Sequence, residues 1–254
     1  MKKIVSIAYY TYLENIRNKI FYVIILFGIV LIGTAFLLSA LGGEQSRRVL
    51  LDVGLGAIEF LALITAGFSA VTLALEEMDS KTIYLILTRP VPRSVYLAGR
   101  YLGLLSAVYS GMVLMAVLHV SILFLQGWVF EPRYILALIF SAEKITVVGA
   151  VALFFSLFST SAVSSISFTV FFWVLGHFSE EIRFLGEKAH GVVPKLTALS
   201  VYYILPNMQY FNIRDFWDLP SISPAWIASA ALYGLSYSAV CLALSLWLFR
   251  RREF

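Results

Sequence analysis

Apolar positions fall into six long runs separated by polar breaks: Ile20–Leu41, Leu51–Leu75, Ser94–Gln126, Tyr134–Phe158, Ala162–Phe178 and Pro224–Phe249. A helix needs about 20 apolar residues to cross roughly 30 Å of hydrocarbon, so each run is a candidate span. The third is long enough to begin or end outside the hydrocarbon, and the fifth is short. Ser94 is placed to cap the third span and Pro224 to open the sixth. Trp128 and Tyr134 mark an aromatic interface between the third and fourth. No stretch sustains the period-two alternation of a barrel strand. The pattern predicts an all-α polytopic membrane protein, six transmembrane helices in a single domain over residues 1–254.

The polar breaks carry the remaining elements. Residues 1–19 hold an amphipathic helix over 3–18, with Ile4, Ile7, Ala8 and Tyr12 towards lipid and Lys2, Lys3, Arg17 and Lys19 towards anionic headgroups. The pattern reads against a secretory signal, because polar residues run to Lys19 before the apolar stretch begins and that stretch is too long. The loop 76–93 reads as a short helix with two defined ends. Ser80 is its N-cap, Asp79 complements the amides of the first turn, and Pro90 stops the helix at Arg89. Ile83, Ile86 and Leu87 form one stripe, with Lys81, Thr88 and Arg89 off it. Such a helix can dock on a soluble partner or simply lie at the interface as part of a solvated loop. Residues 179–223 form the largest polar segment. Within it Lys195–Leu205 reads as a helix with a Leu196, Leu199, Tyr203 stripe, ended by Pro206. The aromatic stretch Pro206–Asn212 beyond it reads as a partly embedded cap or as an interfacial anchor.

Composition fixes the class. Hydrophobic residues are 60% of 254, charged residues 13%, and the mean hydropathy is +0.87, against about 45–50% and about 25% in a soluble domain. The net charge of +4 matters less than its placement. Lys2, Lys3, Arg17, Lys19, Lys81, Arg89, Arg93, Arg100 and Arg250–Arg252 fall on one side of a six-span chain. Arg47, Arg48, Arg133, Arg183, Lys188, Lys195 and Arg214 fall on the other, among more acidic residues. The positive side faces the cytoplasm, which puts both termini and the Ser80 helix there.

Several polar groups lie inside the runs. Ala62, Ala66, Ala70 and Ala74 share a register with Gly54, a small-residue face for close helix contact. Glu59 lies within about 20° of that face on a 3.6-residue wheel. A carboxylate facing lipid is expensive, so Glu59 points to a neighbouring helix, a dimer seam or a pathway, either lining that pathway or simply paired or protonated. Glu143 and Lys144 pair with other helices, or the fourth span starts later than drawn. His119 and His177 lack metal-ligand spacing and read as locally satisfied polar groups. The single Cys241 permits no disulfide or C-x-x-C site within one chain. No G-x-x-x-x-G-K-[ST], H-E-x-x-H or G-x-S-x-G motif is present, and no basic–aromatic array for nucleic acid. A polytopic enzyme would need catalytic polar groups converging at one membrane depth, and Glu59, Glu143, His119 and His177 are scattered along the sequence. A passive channel or scaffold is the other alternative.

The loop carries a further signal. Glu77, Thr82-x-x-Leu85-x-Leu87, Arg89-Pro90-x-x-Arg93 and Tyr96-x-x-Gly99-Arg100 resemble the first cytoplasmic loop of type-2 ATP-binding-cassette exporter permeases. The branch containing the permease of the nitrous-oxide-reductase copper-maturation transporter is the most similar. Lys81 stands where many of those permeases carry Gly. The resemblance implies that this loop is a coupling helix seated in a separate ATPase subunit. The contact residues would be Ser80, Lys81, Thr82, Ile83, Tyr84, Ile86, Leu87, Arg89 and Arg93, with a smaller contact at Ser159, Thr160 and Ser161. It further implies an export permease of the prokaryotic cytoplasmic membrane that works as a dimer, most simply a homodimer. The chain itself would not be an enzyme and would hold no cofactor. ATP and magnesium would belong to the ATPase partner.

Overall fold

The computed structural model describes residues 2–17, 21–41, 46–79, 91–159, 161–213 and 223–251. Among these the chain is all-helical, with no strand. The elements are α1 (Lys2–Asn15), α2 (Phe21–Leu41), α3 (Ser46–Asp79), α4 (Arg93–Leu125), α5 (Pro132–Phe158), α6 (Ala162–His177), α7 (Ser179–Lys188), α8 (Val192–Ile204), a 3-10 turn (Met208–Phe211) and α9 (Pro224–Arg251). The predicted helix Ser80–Arg89 lies outside the described residues, as does Thr160.

Among the described residues four helices are long and apolar enough to cross a membrane: Arg48–Thr72, Arg93–Leu125, Pro132–Phe158 and Pro224–Arg251. A fifth crossing is available if α6 and α7 count as one span broken by a 63° bend. The first predicted span corresponds to α2, a helix of 21 residues whose side chains are described over Tyr22–Leu38, all within an apolar run. The chain is therefore an all-helical protein with the makings of a multi-pass membrane protein.

The centre of the bundle is α3 against α5, with α9 on the other side of α5. Ala62, Ala66 and Ala70 are buried there, and Ala62 joins Val108 and Gly111 of α4 and Val23 of α2 around a small internal gap. The small-residue face is thus occupied by the chain's own helices. Ala74 lies on α3 beyond the residues whose side chains are described.

Two boundaries and one packed face differ from the expectation. Ser94 does not cap α4: Pro92 occupies the N-cap with extended backbone and no side-chain bond. Its carbonyl accepts from Val95 and Tyr96, so the helix starts one residue earlier than read. The helix read as Lys195–Leu205 begins at Val192, after Gly191 at φ 110°. Pro194 falls in its first turn, where the missing N–H is harmless. The predicted stripe does not form the packed face. Leu196 and Tyr203 are exposed, and the contact with α7 runs through Ala198 and Leu199 onto Gly186.

The N-terminal helix departs further. Its Ile7–Ala8–Thr11 face lies on α4 instead of lipid. A Cβ at Gly99 would come within 2.8 Å of Ile7, and one at Gly103 within 2.4 Å of the Ala8 carbonyl. This pair of glycines four residues apart lets the two backbones touch. Arg100 completes the junction, donating to Glu14 Oε2 at 2.8 Å and Thr11 Oγ1 at 3.1 Å. Val5, Tyr9 and Tyr10 form the exposed face.

Candidate functional site: a polar core at membrane depth

Lys144 of α5 is fully buried, and Glu59 of α3 is 6% exposed. Their side chains meet at 2.6 Å. Ser141, one turn before Lys144, donates to the other carboxylate oxygen at 3.0 Å. The ammonium has two further neighbours, His177 Nε2 at the end of α6 and Asn212 Oδ1 after the 3-10 turn, both at 3.4 Å. The geometry fixes the imidazole tautomer. Nδ1 lies 2.9 Å from the Trp173 carbonyl, which can only accept, so Nδ1 carries the proton and Nε2 offers its lone pair to Lys144.

These groups share one depth. Lys144 lies 14 residues before Phe158 and His177 lies 15 after Ala162, and Glu59 is bonded directly to Lys144. At 1.5 Å per residue each is about 20–22 Å from the same end of the bundle. That is inside a hydrocarbon layer of roughly 30 Å. A charge there is stable only when paired and hydrogen-bonded, and this one is. The residues scattered in sequence therefore do converge, contrary to the expectation, though not all of them. Glu143 stays outside the cluster, against α9, where a Cβ at Gly234 would fall 2.9 Å from its Oε1. His119 is a separate, locally satisfied group: its Nε2 donates to the Leu50 carbonyl at 3.3 Å and its Nδ1 accepts from Tyr134 at 3.0 Å.

Segment 205–213 reaches this core from the polar side. Leu205, Asn207, Met208, Phe211 and Ile213 are all buried within the protein. Asn207 binds Glu180 through Nδ2 at 3.0 Å, and its N–H donates to Tyr233 at 2.7 Å. Gln209 donates to the His177 carbonyl at 2.8 Å. Tyr237 of α9 donates to the Ile204 carbonyl at 2.8 Å. The participation of Ser141 and Asn212 was missed by sequence reasoning. Ser141 stands i, i+3 from Lys144, a spacing that puts both on one helix face and could have flagged it. Asn212 had no such signal.

Of the residues expected at a coupling surface, Ser80, Lys81, Thr82, Ile83, Tyr84, Ile86, Leu87 and Arg89 lie outside the described residues. Arg93 is turned inward: its guanidinium donates to the carbonyls of Phe249 and Arg250 at 2.9 and 3.0 Å and stacks on the Phe249 ring. It thereby neutralises the partial negative charge at the C-terminal end of α9. Ser159 and Ser161 shape the α5–α6 turn. The Ser161 N–H donates to Ser159 Oγ at 3.2 Å, while Ser161, the N-cap of α6, makes no side-chain cap bond.

Chemically, the core is a hub in which the ammonium on α5 gathers a carboxylate, an imidazole and an amide from three other parts of the chain. Among the described residues no group of three or more His, Cys, Asp or Glu could hold a metal ion. No family model and no curated protein matches the chain.

Proposed function

We propose that this chain is the membrane subunit of an ATP-driven exporter, working as a dimer with a separate cytoplasmic ATPase. The observation that carries the reading is mechanical. α3 and α4 have 34 and 33 residues, or about 50 Å each, well beyond the roughly 30 Å of hydrocarbon. Both flank the segment 80–92, whose residues carry the coupling-loop resemblance. A displacement of that segment is handed to two continuous helices, one of which bears Glu59. The start of α4 is tied to α1 through Arg100 and to α9 through Arg93, so force entering there reaches three helices together. In this reading the Ile83, Ile86, Leu87 stripe fills a groove on the ATPase, and both termini face the cytoplasm.

The test is Ile83→Asp with Leu87→Asp. The permease should still fold and insert, while co-purification of the ATPase and stimulated hydrolysis are lost. An intact complex with stimulated hydrolysis would refute the reading.

The convergence of Glu59, Ser141, Lys144, His177 and Asn212 favours a second reading, a polytopic enzyme. Against it, the Lys144 ammonium is enclosed and its donors face acceptors of the chain itself, which describes a structural hub better than a free base. Activity that persists with no ATPase would decide for the enzyme.

A further inference from the structure

Lys144 holds its neighbours unequally. The carboxylate of Glu59 is 2.6 Å away, while His177 Nε2 and Asn212 Oδ1 are both at 3.4 Å. Charge-assisted contacts of the first kind are roughly twice as strong as neutral ones, and 3.4 Å is at the outer limit of hydrogen bonding. The pair joins α3 to α5 as a post, reinforced by Ser141. The end of α6 and the 206–213 segment reach it through these two long polar contacts, beside the buried apolar side chains of Met208, Phe211 and Ile213.

Burial explains why these two kinds of contact differ in what they permit. Separating Glu59 from Lys144 in hydrocarbon would strand two opposite charges. Releasing His177 and Asn212 leaves the ion pair whole, and water can take the place of both neutral partners. The part that carries His177 and Asn212 is also one body. Gln209 is bonded to the His177 carbonyl, and Asn207 to Glu180 just past the bend. A Cβ at Gly176 would lie 2.5 Å from the Pro206 carbonyl, so the glycine lets the segment seat against α6. On its far edge the body is bonded to α9 through Tyr233 and Tyr237.

We propose that Lys144 is a latch: the end of α6, its bend into α7 and segment 206–213 swing together on α9, away from the Glu59–Lys144 post, and admit water to the middle of the membrane. The latch is a property of this chain alone and needs neither nucleotide nor ATPase.

Met208, in the 3-10 turn of the segment, is 1% exposed and reports opening. In a Cys241→Ser background, Met208→Cys in liposomes is treated with a membrane-impermeant maleimide. Asn212→Ala and His177→Phe should each raise its labelling rate by about tenfold, the scale of one lost hydrogen bond. Ser141→Ala, which touches only the post, should change it by less than about twofold. Equal labelling in all three, or acceleration by Ser141→Ala as large as by Asn212→Ala, would overturn the latch. Hydrogen exchange needs no introduced cysteine and covers the case in which Met208→Cys fails to fold. Asn212→Ala should speed exchange in 173–188 and 205–213 together and leave 48–72 unchanged. Acceleration confined to one of the two segments, or none, would also overturn it. Because no partner is present, failure here leaves the exporter reading standing, and failure of the exporter reading leaves the latch standing.

Discussion

The two ends of the bundle are fastened differently. At the end where α4 begins, guanidiniums grip backbone and carboxylate at the surface: Arg93 on the last carbonyls of α9, Arg100 on Glu14, with Gly99 and Gly103 pressing α1 against α4. At membrane depth, one enclosed ammonium on α5 holds three other parts of the chain, two of them through long contacts. The first kind of fastening is redundant, since losing one bond leaves the backbone contact. The second is concentrated in one charge, so it is costly to unmake and sensitive to which partner is removed. A junction that transmits force is served by the first arrangement, and an element that must let go by the second.

The sharpest way to break this comparison is Lys144→Met alone. Glu59 then stays buried without its cation, and stability should fall by about 3–5 kcal/mol. The double variant Glu59→Gln with Lys144→Met removes both charges and should recover most of that loss. Thermal unfolding in detergent reads both, and equal losses would show that the pair is not the post described here. Next comes Gly103→Leu. Its side chain must displace the Ala8 backbone, which should cost about 1–3 kcal/mol by overpacking. The loss should appear as protease access to α1 while α4 stays folded. Arg93→Ala should cost less, about 1–2 kcal/mol for charge-assisted bonds to the exposed end of α9, with early exchange of the α9 C-terminal amides. Glu14→Gln should be smallest, at most about 1 kcal/mol, because the carboxylate is half exposed and the pair is screened. It should shrink further at high salt, and an Arg100 junction insensitive to salt would contradict that assignment.

The spans α3, α4, α5 and α9 were legible because crossing a membrane is a local property: a run of about 20 apolar residues announces itself without reference to anything else. The small-residue register of Ala62, Ala66 and Ala70 correctly indicated close packing, but not which helices would fill it. The lipid-facing assignment of Ile7 and Ala8 failed for a related reason. An amphipathic helix shows that one face is apolar, and only Gly99 and Gly103 on a distant helix decide whether lipid or protein covers it. Glu59 was rightly taken as a group needing a partner, yet the partner is 85 residues away.

By itself, then, the amino-acid order determined the helical class, most of the spans, the requirement that Glu59 and Lys144 be compensated, and the polar segments that interrupt the hydrocarbon. Those follow from solvation, which each residue carries with it. The pairing of Glu59 with Lys144, the arrival of His177 and Asn212 beside them, the 63° bend after His177 and the seating of α1 on α4 were decided only by the tertiary structure. Each depends on distance between parts of the chain remote in sequence, and that distance exists only once the helices are packed.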